Sequence, residues 1–472
     1  MRPASDVPDN TPPQPAERAD APQLARRLGL FDATMIVMGG IIGSGIFINA
    51  YVVARQVHPA SLVLGAWAMG GVIALAGAFI YAELAAHRPQ VGGQYAYIRE
   101  ALHPLPAFLY GWTLLLVTQT GGMAAVAVTF AHYFAQLTNL PDTDWTSGII
   151  AIIALAVLTV INCLGVRAGS AVQSTLMVLK IVAILALIAC GLFIAKPAEF
   201  PTEIAYTDEW RPAAGYFTPG FDWRTMTAFG AALVPVMFAY GGWQTSCFIA
   251  GEVREPRKTM PRALLVGVLG VIALYMLANY AYVHVLGVDL LTQTKTPASE
   301  VMRLAFGERG KAFIATGIAI STLGFLSQGM LTAPRVYFAM ADDRLFFKRV
   351  AWLHPRTRVP VVAIALQGAL AILIIVALSG VYGKILNYVM SVDTVFFAVS
   401  AGCLFVFRRR EGRAAFGVPW HPLTTLVFII AESFVALSVV INYPLDSVKG
   451  WAILLAGVPV YFFWRGKRNE HN

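Results

Sequence analysis

The run GGIIGSGIF, residues 39–47, places Gly39, Gly40, Gly43 and Gly45 inside an apolar stretch long enough to cross a bilayer. Each glycine lowers helix stability by about 1 kcal/mol relative to alanine. The cluster has two readings. Gly39 and Gly43 have the small-xxx-small spacing that lets membrane helices pack closely. Alternatively, the helix is interrupted there. A second stretch favours interruption: FGAALVPVMFAYGGWQTSCFIAGE, residues 229–252, contains Pro235, which lacks a backbone N–H, and Gly241-Gly242 about two turns later.

Composition supplies the setting. The 472-residue chain is 57% apolar and 13% charged, and its mean hydropathy is +0.65. Soluble domains carry about 25% charged residues, so lipid is the main solvent here. Twelve apolar stretches have spanning length: 31–54, 60–86, 104–136, 147–165, 170–194, 226–250, 263–286, 312–338, 360–379, 386–407, 422–441 and 450–464. The third is long and the last short, which implies tilt or irregularity in both. Basic residues alternate between connections. Arg26 and Arg27, Arg88 and Arg99, Arg167, Arg254 to Arg262, Arg344 to Arg358, Arg408 to Arg413 and Arg465 to Arg468 all fall on one side. The loop TNLPDTDW, residues 138–145, has Asp142 and Asp144 and no base. Twelve spans with both termini cytoplasmic satisfy this asymmetry. The net charge of +9 is therefore topological, and a nucleic-acid partner is not expected. Residues 1–25 lack the apolar core of a signal peptide and read as a disordered cytoplasmic tail. Cys163, Cys190, Cys247 and Cys403 all lie in apolar stretches, as small buried residues and not as disulfides or metal ligands.

The interrupted spans are the first and the sixth. Repeats of five helices in inverted orientation, each opening on a broken helix, place a substrate site at the bilayer midplane. The expected fold is thus an all-α membrane protein of twelve transmembrane helices. It has a five-plus-five inverted repeat with helices 1 and 6 broken (26–410), then two extra C-terminal helices and a short cytoplasmic tail (411–472). No residue-level repeat is visible, so the symmetry rests on span number and break position. Unwinding at Gly43-Ser44-Gly45 frees backbone N–H groups at a helix start, which suits a carboxylate. Freed carbonyls of Ile41, Phe238, Ala239 and Gly241 suit an ammonium. Both groups close together describe an α-amino acid.

Charges at bilayer depth are costly and usually functional. Lys180 lies in the middle of the fifth span, about ten residues from either end and too far in to snorkel. It is a candidate for proton coupling. Asp393 is an uncompensated carboxylate in the tenth span: a wall of the side-chain pocket, a proton-responsive group or a structural carboxyl. Glu83, near the end of the second span, reads as an interfacial group or a partner of Arg88. Glu432 and His132 are weaker candidates. The eight histidines are scattered and no Cys/His cluster appears, so neither an enzyme nor a metal or cofactor site is expected. No repeated filter or charged ring suggests a channel.

The motifs GGIIGSGIF, PVMFAYGGWQTSCFIAGEVREPRKTMPRA, STLGFLSQGMLTAPRVYFAMADDRLFF and GGQYAYIREAL resemble the amino acid–polyamine–organocation superfamily, most of all its L-type amino acid transporter branch. The resemblance covers Phe31 to about Arg410. It implies that backbone around Gly43, Ser44 and Gly45 holds the substrate carboxylate. Carbonyls of Ile41, Phe238 and Gly241 would take the amine, and Phe238 would gate the site. It also implies that Lys180 reaches the first break together with a hydroxyl of Ser321 or Thr322, a fixed ammonium where relatives of this fold bind Na⁺. Some members of the branch have an amide at the position of Asp393. The expected protein is a sodium-independent permease, exchanging or proton-linked, for small neutral α-amino acids. Cationic amino acids or polyamines are the alternative, and a sensor that does not transport is the alternative of another class. Vertebrate members join a glycoprotein through a cysteine in the loop between helices 3 and 4. TNLPDTDW has none, so no disulfide-linked heavy chain is expected, and a bacterial inner membrane is the expected location.

Overall fold

The computed structural model describes residues 24–141, 143–197, 223–377 and 382–469. The tail read as disordered lies outside these residues except for 24 and 25, and Asp142 lies outside them too. The described residues form helices and connections, with one isolated backbone bridge, Leu28 to Val253, and no strand. Eleven helical segments among them are long and apolar enough to cross a membrane, and a shorter apolar helix makes the twelfth.

The first span is two helices, Leu30–Ile41 (α1) and Gly45–Ala54 (α2), separated where Ile42 turns extended (φ −77°, ψ 99°). Next come Ala60–His87 (α3) and the short Gln94–Ala101 (α4). The long third span is irregular, as its length implied. Pro104–Thr113 (α5) passes through a π-helical turn, Leu114–Thr118, into Gln119–Thr138 (α6). Asp144–Cys163 (α7) and Val166–Phe193 (α8) follow. The sixth span is Trp223–Tyr240 (α9), then a turn at Gly241-Gly242, then 3₁₀-helical Trp243–Glu252. Pro256–Gln293 (α10) kinks at Gly287, just beyond the end of the seventh apolar stretch. Pro297–Thr332 (α11) kinks at Phe306 and Gly307 before its membrane part and continues as Pro334–Asp342 (α12). Val361–Ala377 (α13), Tyr382–Glu411 (α14), Leu423–Asn442 (α15) and Pro444–Asn469 (α16) complete the chain. The last helix is longer than its apolar stretch because its first turns, PLDSVKG, are polar.

Burial grades across the bundle. In the first span 78% of the most apolar window is buried, against 22% in the last, so α1 is central and α16 peripheral. A helix that is apolar all round and buried needs no amphipathic stripe.

One end of the bundle is rich in arginine, and its carboxylates are paired. Glu83, fully buried, accepts Arg408 Nε at 2.8 Å and Nη2 at 2.6 Å, and the Val418 N–H at 2.6 Å. Its partner is therefore Arg408, brought in by α14, and not the Arg88 that sequence proximity suggested. Arg88 instead bonds Glu100 and Glu411. Arg335 donates to Glu252 through Nε at 2.6 Å and Nη2 at 3.3 Å, both side chains 1% exposed. Arg99 pairs with Asp343, which also accepts the Tyr95 hydroxyl at 2.8 Å. Burial and then the Asp343 charge push the Tyr95 phenol well up, so it stays a donor. The segment before α1 is strapped to the same end: the Arg27 and Leu28 N–H groups donate to the Glu252 carbonyl at 2.9 and 3.1 Å.

Candidate functional site

The two breaks meet. A Cβ on Gly40 would stand 2.5 Å from the Gly242 carbonyl oxygen, and one on Gly242 would overlap the Gly40 carbonyl. Gly242 also has φ +100°, in the left-handed region that side chains disfavour. Only glycine at both positions lets the two backbones cross this closely.

Breaking two helices leaves polar backbone groups in the apolar interior, where an unmade hydrogen bond costs about 1–3 kcal/mol. Side chains from three other helices and from the broken spans themselves meet much of this need. The Tyr275 hydroxyl of α10 lies 3.3 Å from the Ile41 carbonyl and 3.2 Å from that of Ala239, so it bridges the two breaks. Lys180 Nζ of α8 donates to the Ile42 carbonyl at 2.5 Å, and Ser321 Oγ of α11 donates to the next one, Gly43, at 2.9 Å. Lys180 is fully buried and passes over Gly324, where a Cβ would meet its Cε at 2.6 Å. Asn49 of α2 donates to the Pro235 carbonyl at 2.8 Å. On the second break, Thr245 donates to the Gly242 carbonyl at 2.6 Å, the Gly242 N–H donates to Gln244 at 2.9 Å, and Gln328 of α11 donates to Thr245 at 2.7 Å.

Beside the crossing lies a cavity of about 120 Å³. It is lined by Ile41, Gly43, Ser44 and Gly45 of the first break and by Phe238, Ala239 and Gly241 of the second. Ser44 is the N-cap of α2 and makes no side-chain cap bond, so the positive end of the α2 dipole faces this space uncapped. Half-buried Phe238 stands in its wall, as does Asp393. The site residues read from the sequence, Thr322 apart, thus fall into two groups. Gly43, Ser44, Gly45, Ile41, Phe238, Ala239, Gly241 and Asp393 all line the cavity. Lys180 and Ser321 stand behind it, bonded to the break. Thr322 does neither: its hydroxyl is turned back to the Ile318 and Ala319 carbonyls of its own helix, each at 2.9 Å. Of the two hydroxyls left open, Ser321 is the one that reaches the break. Ile41 and Ala239 share the single Tyr275 hydroxyl proton, and the Phe238 carbonyl accepts the Gly241 N–H at 3.3 Å, so these carbonyls keep acceptor capacity.

Several lining residues lay beyond the sequence reading. Thr118 and Gln119 arrive through the π-helical turn between α5 and α6, a distortion frequent at functional sites. The polar run TQTGG, residues 118–122, inside an apolar span was the available signal. Gln328 and Trp243 also line the space, and so does Glu432, one of the weaker candidates of the sequence. His132 lies away from it, facing Ser147 at 3.4 Å. All four cysteines are free thiols.

Residues 28–463 match the profile of a family described as "Amino acid permease". The chain is 30% identical to the serine/threonine exchanger SteT of Bacillus subtilis over 447 residues, which covers 93% of this chain and 97% of that one. It is 29% identical to the large neutral amino acids transporter small subunit 2 of Mus musculus, covering 94% of this chain and 82% of the relative. It is 28% identical to the Asc-type amino acid transporter 1 of Homo sapiens, covering 94% and 84%.

Proposed function

We propose, because the chain belongs to the amino acid permease family, that this multi-pass membrane protein carries small neutral α-amino acids by alternating access, as an exchanger or with a proton, and without sodium. The observation that carries this reading is the meeting of an uncapped helix start with carbonyls of a second broken helix on one small cavity. The N–H groups of Gly43, Ser44 and Gly45 would hold the substrate carboxylate, helped by the α2 dipole. The carbonyls of Ile41, Phe238, Ala239 and Gly241 would hold the ammonium, and Phe238 would close over it. A cavity of about 120 Å³ suits a short side chain better than an aromatic one. The relatives' names, an exchanger of serine and threonine among them, point the same way.

Lys180 gives the reading its ionic prediction. Its ammonium sits against the Ile42 carbonyl, next to the Ser321 bond to Gly43, and supplies there the positive charge a bound sodium ion would bring. The arginine-rich end, with both termini, would face the cytoplasm by the positive-inside rule, in a bacterial inner membrane.

The test is counterflow of radiolabelled alanine in proteoliposomes against the twenty unlabelled amino acids, with Na⁺ and then with choline. Alanine, serine and threonine should compete best and the two media should agree. A several-fold stimulation by a Na⁺ gradient would reject sodium independence. Competition led by lysine or arginine would favour the cationic alternative, which Asp393 motivates. Binding without counterflow would favour a sensor.

A further inference from the structure

We infer that Glu432, together with Asp393, forms the far end of the cavity and receives a hydrogen-bond donor carried on a short substrate side chain. Glu432 belongs to α15, outside the ten helices that the sequence reading assigned to transport. Its side chain is 1% exposed, it lines the cavity, and its Oε2 has no hydrogen-bond partner among the described residues. Asp393, on α14, lines the same cavity, and no Lys, Arg or His is among the lining residues.

The placement follows from one tryptophan. Trp243 stacks on Phe397 of α14 at 5.9 Å and meets Phe428 of α15 edge-on at 6.5 Å. Asp393 comes one helical turn before Phe397, and Glu432 one turn after Phe428. Consecutive spans run in opposite directions, so both carboxyls are displaced the same way from Trp243, side by side. A buried carboxyl with an unused oxygen is costly until a donor reaches it. No protein group in the cavity wall brings a positive charge to this pair, which leaves the substrate to supply the donor. The same cavity must also seat the α-amino acid head, so the donor is placed on a short side chain, as a hydroxyl or an ammonium.

This deepens the proposed function and rests on it. The test uses the full-length protein in proteoliposomes loaded for alanine counterflow. Competition is measured with serine, with 2,3-diaminopropionate, and with α-aminobutyrate, which matches serine in size but has no donor. The wild type should prefer the better donor ligand over α-aminobutyrate by about tenfold, the upper end of what one hydrogen bond contributes. Glu432→Leu should bring that ratio close to one. Glu432→Gln, which keeps the shape and a neutral acceptor, should lower it about threefold and decides the matter if the leucine variant does not fold. Preference for diaminopropionate assigns the donor as an ammonium, and preference for serine as a hydroxyl. Alanine counterflow with serine, diaminopropionate and α-aminobutyrate competing equally in the wild type, or a ratio unchanged in Glu432→Gln, overturns the inference while leaving the proposed function intact. A wild type without alanine counterflow defeats both.

Discussion

Buried charge is handled in opposite ways at the two levels of this bundle. At the arginine-rich end each buried carboxylate meets a guanidinium: Glu83 with Arg408, Glu252 with Arg335. At the level of the breaks, among the described residues, Lys180 meets only a carbonyl and Glu432 keeps an oxygen with no partner. The first arrangement is complete in itself. The second is complete only when something else arrives or when the backbone stays broken. Paired charges should therefore answer to stability measurements, and unpaired ones to transport measurements.

The sharpest way to break this contrast is to remove one member of a closed pair. Arg335→Ala leaves Glu252 buried alone and should lower stability by about 3–5 kcal/mol, read as a large fall in thermal unfolding temperature in detergent. Replacing both with leucine should recover most of the loss, because two buried charges leave together. Recovery failing in the double variant would show that the pair does more than neutralise itself. Next in size is Lys180→Met. It removes a buried amine but keeps most of the unbranched chain, so the unfolding temperature should hold or rise while alanine counterflow falls on the order of a hundredfold, through lost order at the Ile42 carbonyl. Equal losses in both measurements would place Lys180 with the structural charges. Smaller again, Asp393→Asn should change the ranking of competing amino acids by about three- to tenfold with little effect on unfolding. The smallest effect belongs to Arg88→Gln. Its partners Glu100 and Glu411 are solvent-accessible, so the stability loss should stay within about 1 kcal/mol and shrink in high salt.

The same contrast explains what the sequence discloses. Spans are legible because a bilayer demands a minimum apolar length, and the twelve stretches correspond one to one with helical segments. The breaks are legible because Gly40, Gly43, Pro235 and Gly242 act on their own backbone. Lys180 is legible because a lysine ten residues from either helix end has no route to water. Partners are another matter. Whether Ser321 or Thr322 faces the break depends on the rotation of α11, which apolar periodicity does not fix in a helix buried on most sides. Tyr275 looks like any aromatic of an apolar span until α10 is packed across both breaks. Glu83 went to Arg408 and not Arg88 because α14 ends beside α3, a proximity of residues 325 positions apart. Glu432 gained its place only when α15 was seen to border the cavity.

The crossing of Gly40 and Gly242 bears on how this chain can vary. Most tight contacts in a protein are between side chains, and a larger residue on one side can be met by a smaller one opposite. Here the obstacle to a side chain at either position is a main-chain carbonyl, present whatever residue occupies the other. No second substitution can make room. Around this point sequences are free to exchange pocket residues and so change what they carry, while the two glycines admit no compensating change and can only be kept or lost with the crossing itself.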